Sequence, residues 1–244
     1  MRLDAWLVEN GAVRSRERAK EAIAAGLVRV NGTQVSKSSQ KVSAADRIEC
    51  DGEAHNYVSR GALKLVAGLD HFGVDPAGGT CLDLGASTGG FTEVLLERGA
   101  AKVYAVDVGH GQLHESLRPG ARVINMEGVH AKALSHELVP EPIDLVVCDV
   151  SFISIMKALP YALDLCAEQA TVVTLVKPQF ELGPDHIGKG GLVTRPQEEQ
   201  RGWIEEHILP FFTGLGWQVK GLIESPIKGG DGNTEFLLGA THAQ

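Results

Sequence analysis

Cysteine is scarce in this 244-residue chain: Cys50, Cys81, Cys148 and Cys166 are the only four, and no two form a C-x-x-C pair. That argues against a disulfide framework and the common zinc-binding spacings. Cys81 and Cys148 fall inside apolar strand patterns, where reduced core thiols of a cytoplasmic protein are expected. No apolar run reaches the 18 residues of a membrane-span candidate, and the opening Met1-Arg2-Leu3-Asp4 has no apolar stretch of the secretory kind. An excess of positive charge is missing too: the net charge of −8 argues against a protein that coats nucleic acid broadly. Internal repeats and low-complexity tracts are absent. His110 and His114 are four apart, but no third ligand completes a site, so no metal is expected.

The charge that is present is uneven. Residues 1–58 carry nine Lys/Arg against eight Asp/Glu, and residues 59–244 carry fourteen against twenty-three. The first segment reads as a small α+β unit. Leu3, Trp6, Leu7 and Val8 mark a short helix ending near Asn10-Gly11. Ser15 is a good N-cap for a second helix over 16–25, which Gly26 stops. Leu27–Val30 and Thr33–Val35 flank Asn31-Gly32, a strong signal for a type I′ hairpin. Arg14, Arg16, Arg18 and Lys20 cluster on the second helix and its approach, with Arg14 and Arg18 four apart, and Arg29 on the hairpin extends the set. Two readings fit this charge: phosphate contact, or a solvated helix laced with salt bridges.

The most informative run is Cys81-Leu82-Asp83-Leu84-Gly85-Ala86-Ser87-Thr88-Gly89-Gly90-Phe91. It reads as a buried strand, a glycine-rich turn and the start of a helix, an arrangement that lets backbone approach a ligand closely. The next strand, 102–107, ends in Asp107, placed where a doubly wound sheet puts the acid that grips a ribose. The glycine order G-A-S-T-G-G departs from the G-x-G-x-x-G of dinucleotide sites, which disfavours a nicotinamide oxidoreductase. The other reading is a plain strand–helix turn whose glycines only permit close packing.

From residue 61 onward, helix and strand alternate. Strands are expected at 79–84, 102–107, 122–125, 143–149 and 171–177, and helices at 62–71, 90–98, 112–117, 154–167 and 197–214. Segments 218–224 and 234–239 suit an antiparallel pair at one sheet edge. The fold class is therefore α/β, a doubly wound and mostly parallel Rossmann-like sheet over 59–244, behind a small domain over 1–58, with 51–60 as connector. Asp149 and Lys177 end neighbouring strands at the ligand-binding rim. A Lys there is costly unless paired, so an Asp149–Lys177 pair is expected. Lys64 precedes the first strand and Glu235 opens the last. Taken singly, each of these charges serves as well in a surface or structural pair as in catalysis. Phe152 and Phe180 flank the rim, suited to stacking on a base or to core packing.

Three resemblances sharpen these readings. The turn, with its strand, helix and Asp107, resembles the S-adenosylmethionine (SAM) site of Rossmann-type methyltransferases. That implies cofactor contacts from Asp83, Gly85, Ala86, Ser87, Thr88, Gly89, Gly90, Phe91, Asp107 and Val108. Arg2-Leu3-Asp4, Ser15-Arg16, Gly26, Val30-Asn31-Gly32 and Asp46-Arg47-Ile48 together resemble the S4 RNA-binding domain, with Ala45 where that family often has Gly. This implies an RNA-reading face from Arg2, Arg14, Arg16, Arg18, Lys20 and Arg29. The ordered set Lys64, Asp149, Lys177, Glu235 resembles the K-D-K-E tetrad of FtsJ-like RNA 2′-O-methyltransferases. Tyr57-Val58-Ser59-Arg60-Gly61, Asp149-Val150-Ser151-Phe152, Val176-Lys177-Pro178-Gln179-Phe180-Glu181, Gly188-Lys189-Gly190-Gly191 and Gly232-Asn233-Thr234-Glu235 narrow it to the TlyA family.

The family resemblance implies a cytoplasmic enzyme that methylates cytidine 2′-O positions of ribosomal RNA with SAM. Lys177 is expected to help remove the hydroxyl proton, Asp149 to orient Lys177, and Lys64 and Glu235 to complete the network. Shorter family members resemble large-subunit enzymes. This chain starts one residue before the S4 pattern and stops soon after the last strand, so large-subunit RNA is the expected partner. Met126-Glu127-Gly128-Val129-His130-Ala131 departs from the family's acid-Arg-Thr-Asn, on the expected adenine side. Two other classes are disfavoured. A non-catalytic S4 factor with a vestigial second domain conflicts with the intact tetrad. A membrane-lytic haemolysin, the family's historical name, conflicts with the missing span.

Overall fold

Leu3 and Leu7, one turn apart, form the buried stripe of α1 (Leu3–Glu9). Ser15 caps α2 (Arg16–Ala24), its side chain accepting the Arg18 backbone N–H at 3.2 Å. Asn31 (φ 53°) and Gly32 (φ 77°) both take the left-handed conformation that a type I′ turn needs. They join β1 (Val28–Val30) to β2 (Thr33–Gln34) as the sequence predicts. A third strand, β3 (Ile48–Cys50), pairs antiparallel with the other edge of β1. Its three half-buried residues show no alternation, so this strand leaves no periodic signal in the sequence. Leu3, Leu7, Ala19, Ile23, Val28 and Val42 fill the core of this unit.

This computed structural model describes residues 1–52, 56–118 and 120–242, so residues 53–55 of the connector lie outside the described residues. The chain forms two compact units, Met1–Asn56 and Tyr57–Gln244.

In the second unit α3 (Ala62–Phe72) precedes β4 (Thr80–Leu84), α4 (Gly90–Glu97), β5 (Lys102–Asp107), β6 (Val123–Glu127) and β7 (Ile143–Cys148). Two single-turn helices, α5 (Ile155–Ala158) and α6 (Pro160–Leu163), lead into β8 (Cys166–Val176). Then follow α7 (Pro178–Glu181), α8 (Gln197–Gly214), β9 (Trp217–Glu224) and β10 (Phe236–His242). The sheet order is β6-β5-β4-β7-β8-β10-β9. Neighbours from β6 to β8 are parallel, and β10 runs antiparallel to both β8 and β9. Strand order reverses between β4 and β7, and the crevice at their carboxyl ends is where a doubly wound sheet binds ligand. Leu82, Val146, Val172, Ile208 and Phe212 pack one face; Leu65, Leu69, Val147, Val173 and Leu237 pack the other.

Two expected helices are shorter than predicted. Over 112–117 only the 3-10 turn Glu115–Leu117 forms. The helix expected over 154–167 breaks at Pro160, which has no N–H to continue the α5 ladder and instead starts α6. Residues 166 and 167 then belong to β8, which starts five residues earlier than the expected 171, rather than to a helix.

Candidate active site

Gly85 (φ 88°) turns the chain out of β4, and a Cβ there would lie 2.7 Å from the Asp149 carbonyl oxygen. Only glycine fits, because the ends of β4 and β7 nearly touch. The Gly85 and Ala86 N–H groups donate to Val106 O at 2.8 and 3.0 Å, and Gly89 N–H donates to Ala86 O at 2.7 Å. Ser87 (φ 48°) gives its N–H to Asp107 Oδ2 at 2.8 Å. These amides serve the turn itself, and Asp107 and Asp149 line the adjoining cleft. Such a site suits a ligand with a cationic centre and a ribose better than a pyrophosphate.

That cleft has a volume of about 660 Å³. Gly85, Ser87, Asp107 and Val108 line it, as does the 129–131 segment; Val108 is 63% exposed, an apolar side chain beside an opening. Asp83, Ala86, Gly89, Gly90 and Phe91 are buried. Asp83 accepts the Thr92 hydroxyl at 2.6 Å, and burial raises its carboxyl pKa to about 7 against that hydrogen bond. These residues therefore shape the turn from behind. Thr88 is exposed, and its carbonyl accepts the His114 N–H.

Asp107 also accepts the Gly109 N–H at 2.7 Å, so each of its oxygens is already aligned by one amide. Glu127 lies opposite it in register on β6 and accepts the N–H groups of Leu113 and Gln112 at 2.9 and 2.5 Å. The Leu113 bond first, with further help from Asn125, holds its carboxyl down at about 2. Gly128 takes φ 76°, a left-handed backbone that favours glycine, and a Cβ there would lie 2.6 Å from His110 Nε2. His114 turns to Ser116 at 2.8 Å, and among the described residues no metal-binding cluster occurs.

The four tetrad residues, scattered over the sequence, come together as two ion pairs. Lys64 Nζ meets Glu235 Oε2 at 2.5 Å, their side chains 8% and 3% exposed. Lys177 Nζ meets Asp149 Oδ1 at 2.5 Å and donates to Ser151 Oγ at 2.9 Å. Adjacent ladders explain the assembly. Phe236 pairs with Val176, which sets Glu235 beside Lys177; Leu84 pairs with Cys148, which sets Gly85 beside Asp149. Glu235 lies one residue ahead of β10 rather than on it.

Phe152 and Phe180 flank the rim as expected, while the backbone of Phe152 and the contacts of Asn233 had no sequence signal. Phe152 is 91% exposed at the cleft and takes φ 64°, and its ring stands 5.1 Å from that of Phe180. Asn233, 4% exposed, accepts the Val193 N–H and donates to Gly191 O, both at 2.9 Å. It staples the Gly188–Gly191 loop to the loop that leads into Glu235.

In the N-terminal unit, Asp4 is fully buried and holds Arg2 at 2.8 Å and Arg16 at 3.0 Å. The Arg2 hydrogen bond, with Arg16 and the Ala5 N–H, keeps its carboxyl well below the usual range. Both guanidinium groups remain half exposed. Arg14 and Lys20 are exposed, and Arg29 pairs with Asp51 at 3.0 Å with its side chain 42% exposed. Arg18 differs: it is buried beside Ala19 and Ala22 and paired with Glu21, so it belongs to the helix packing and not to an outer face.

Comparison with known proteins assigns each unit to a family. The FtsJ-like methyltransferase family model matches residues 57–242, and the S4 domain model matches residues 1–48. The 16S/23S rRNA (cytidine-2′-O)-methyltransferase TlyA of Mycobacterium tuberculosis is 46% identical over 97% of this chain and 88% of its own length. The 23S rRNA (cytidine-2′-O)-methyltransferase TlyA of Campylobacter jejuni is 37% identical over 79% of this chain and 74% of its own. A solved structure from Streptococcus thermophilus, called a hemolysin, superposes with a TM-score of 0.77 at 38% identity, covering 100% of this chain and 89% of that one.

Proposed function

Because the chain belongs to the FtsJ-like methyltransferase family and carries an S4 domain, we propose that it transfers a methyl group from SAM to a cytidine 2′-hydroxyl of ribosomal RNA. The observation that carries this reading is the gathering of Lys64, Asp149, Lys177 and Glu235 into two ion pairs beside the cleft. The cleft fits SAM: its acidic groups suit the sulfonium, Asp107 suits a ribose, and Val108 offers apolar surface to a purine. When bound, SAM supplies an already activated methyl group, so the protein's work is mainly alignment.

Lys177, as the neutral amine, hydrogen-bonds the ribose 2′-hydroxyl and would take up its proton as the O–C bond forms and the methyl–sulfur bond breaks. Asp149 and Ser151 fix the direction of the Lys177 amine. Lys64 and Glu235, held rigid by burial, orient the ribose. Phe152 stacks on the target base, using an apolar face that otherwise meets water. Arg2, Arg14, Arg16, Lys20 and Arg29 contact RNA phosphates. Arg16 retains this capacity although it binds Asp4, because a guanidinium has five donors. Residues 1–58 and 59–244 are the working limits of the RNA-binding and catalytic domains.

The Mycobacterium tuberculosis relative names both 16S and 23S rRNA and the Campylobacter jejuni relative names 23S alone; 23S is common to the two names, which supports large-subunit RNA as the preferred substrate, with the cytoplasm as the place of action. The test is methyl transfer from labelled SAM to separated ribosomal subunits lacking the modification, run beside Lys177→Ala. Label in the large subunit with the unaltered protein, and none with the variant, supports the reading. Equal label with both removes Lys177 from the chemistry.

A further inference from the structure

Phe152 is in an unfavourable position twice over. A bulky residue at φ 64° is strained, and a phenyl ring 91% exposed gains little from burial. Such a conformation persists only where neighbouring contacts leave the chain no alternative. The 149–155 segment is gripped at both ends by a single second segment, residues 177–181. At the near end, Lys177 Nζ binds Asp149 and Ser151. At the far end, Glu181 Oε1 accepts the Ile155 N–H at 2.8 Å. Between the two grips, the Phe180 ring stands against the Phe152 ring at 5.1 Å.

The far grip is unusual chemistry for a merely structural contact. Ile155 opens α5, a helix of four residues, and the Ser154 hydroxyl already caps it by accepting the Met156 N–H at 3.2 Å. A neutral side chain would complete that cap. The residue present is instead a half-buried carboxylate, whose other oxygen is buried with no hydrogen-bond partner. Burial raises its pKa, and hydrogen bonds to Ser154 and to the Ile155 amide oppose that rise. The four-residue spacing from Lys177 to Glu181 lets one helical turn, α7, carry both grips.

We propose that Glu181 is a positioning residue: by holding the Ile155 amide it fixes the far end of the 149–155 loop, so that Phe152 keeps its strained conformation and presents its ring to the substrate base. This rests on the reading of the cleft as an RNA methyltransferase site. Glu181 touches neither substrate nor cofactor, and its influence runs through the loop.

The full-length protein is tested as Glu181→Ala, Glu181→Gln, Glu181→Asp, Phe152→Ala and Glu181→Ala/Phe152→Ala. Methyl transfer to ribosomal RNA, SAM binding, and amide hydrogen exchange of peptides spanning 150–156 are measured on each. Glu181→Ala is expected to lower kcat/KM for RNA about tenfold, the scale of one hydrogen bond to a charged group. SAM affinity stays unchanged and exchange of the Ile155 amide accelerates. Glu181→Gln restores function because its amide oxygen still accepts, whereas the shorter Glu181→Asp behaves like Ala. In the Phe152→Ala background, Glu181→Ala costs nothing more.

Additive losses in the double variant, or a SAM affinity that falls as far as kcat/KM, overturn the proposal. If Glu181→Ala fails to fold, the Gln and Asp pair decides, and equal damage from both overturns it. If the unaltered protein methylates no RNA, the functional reading has failed instead. Hydrogen exchange still decides the loop: unchanged exchange in Glu181→Asp contradicts the clamp.

Discussion

Lys64 and Glu235 lie 171 positions apart in the chain, yet their charged atoms meet at 2.5 Å with both side chains almost wholly buried. Each charge has been taken out of water, so each depends on the other. Removing one partner leaves an uncompensated buried charge, at a cost of about 3–5 kcal/mol. Lys64→Ala and Glu235→Ala are each expected to lower the unfolding free energy by that amount, read as a lower urea midpoint at unchanged slope. Lys64→Met/Glu235→Leu recovers much of the stability without recovering methyl transfer. A double variant less stable than either single one contradicts this.

Lys177 and Asp149 sit on the same rim but are more open, with side chains 10% and 21% exposed. Their removal falls on chemistry more than on folding. Lys177→Ala and Asp149→Ala are expected to lower kcat by about 10²–10⁴-fold, the range of a positioned acid–base group, with SAM affinity kept within a few-fold in Lys177→Ala and weakened in Asp149→Ala, which also removes an acid from the cleft wall. Calorimetric SAM binding beside single-turnover methylation checks both halves.

Asp83 makes stability depend on pH. Its carboxyl titrates at about 7 in the folded protein against 3.8 for the unperturbed group, chiefly through burial. Between those values the folded state holds the proton and the unfolded chain has lost it. Stability contributed at this site is therefore greatest below about pH 4 and falls as pH rises to about 7, by a few kcal/mol. Asp83→Asn keeps an acceptor for Thr92 and titrates nowhere in that window. The stability difference between variant and wild type is expected to grow in the variant's favour from pH 4 to pH 7, read by urea titration. A difference independent of pH contradicts it.

Asn233 joins two glycine-containing loops through one amide. Asn233→Ala leaves the Val193 N–H and the Gly191 carbonyl without their partner, a loss of about 1–3 kcal/mol. Faster proteolysis within 188–194 is expected, with SAM binding unaffected. Unaltered cleavage would show that the staple is dispensable.

Much of this arrangement was legible in the residues. The β4 strand, its glycine turn and α4 carry a local signal, and so do Asn31-Gly32 and the apolar strands that end in Asp107, Asp149 and Lys177. Parallel-strand topology then brings those ends to one rim. Other features depend on contacts between distant segments and leave no local pattern. Arg18 looked like part of a basic surface, but α2 turns it inward with Ala19 and Ala22 toward Glu21. Phe152 gives no hint of a left-handed backbone, because phenylalanine rarely adopts one. Glu181 and Asn233 look like ordinary loop polar residues until tertiary packing supplies their partners. The helix expected over 154–167 misjudged Pro160, which begins a new turn rather than being carried within one long helix.

The central claim is methyl transfer from SAM to a cytidine 2′-oxygen of ribosomal RNA, and nucleoside analysis tests it most directly. Unmodified ribosomal subunits are treated with the protein and labelled SAM, digested to nucleosides, and separated by chromatography with mass detection. The account predicts label in 2′-O-methylcytidine, from the large subunit, and none with Lys177→Ala. Label on a base, or no label although SAM binds the protein, would contradict it.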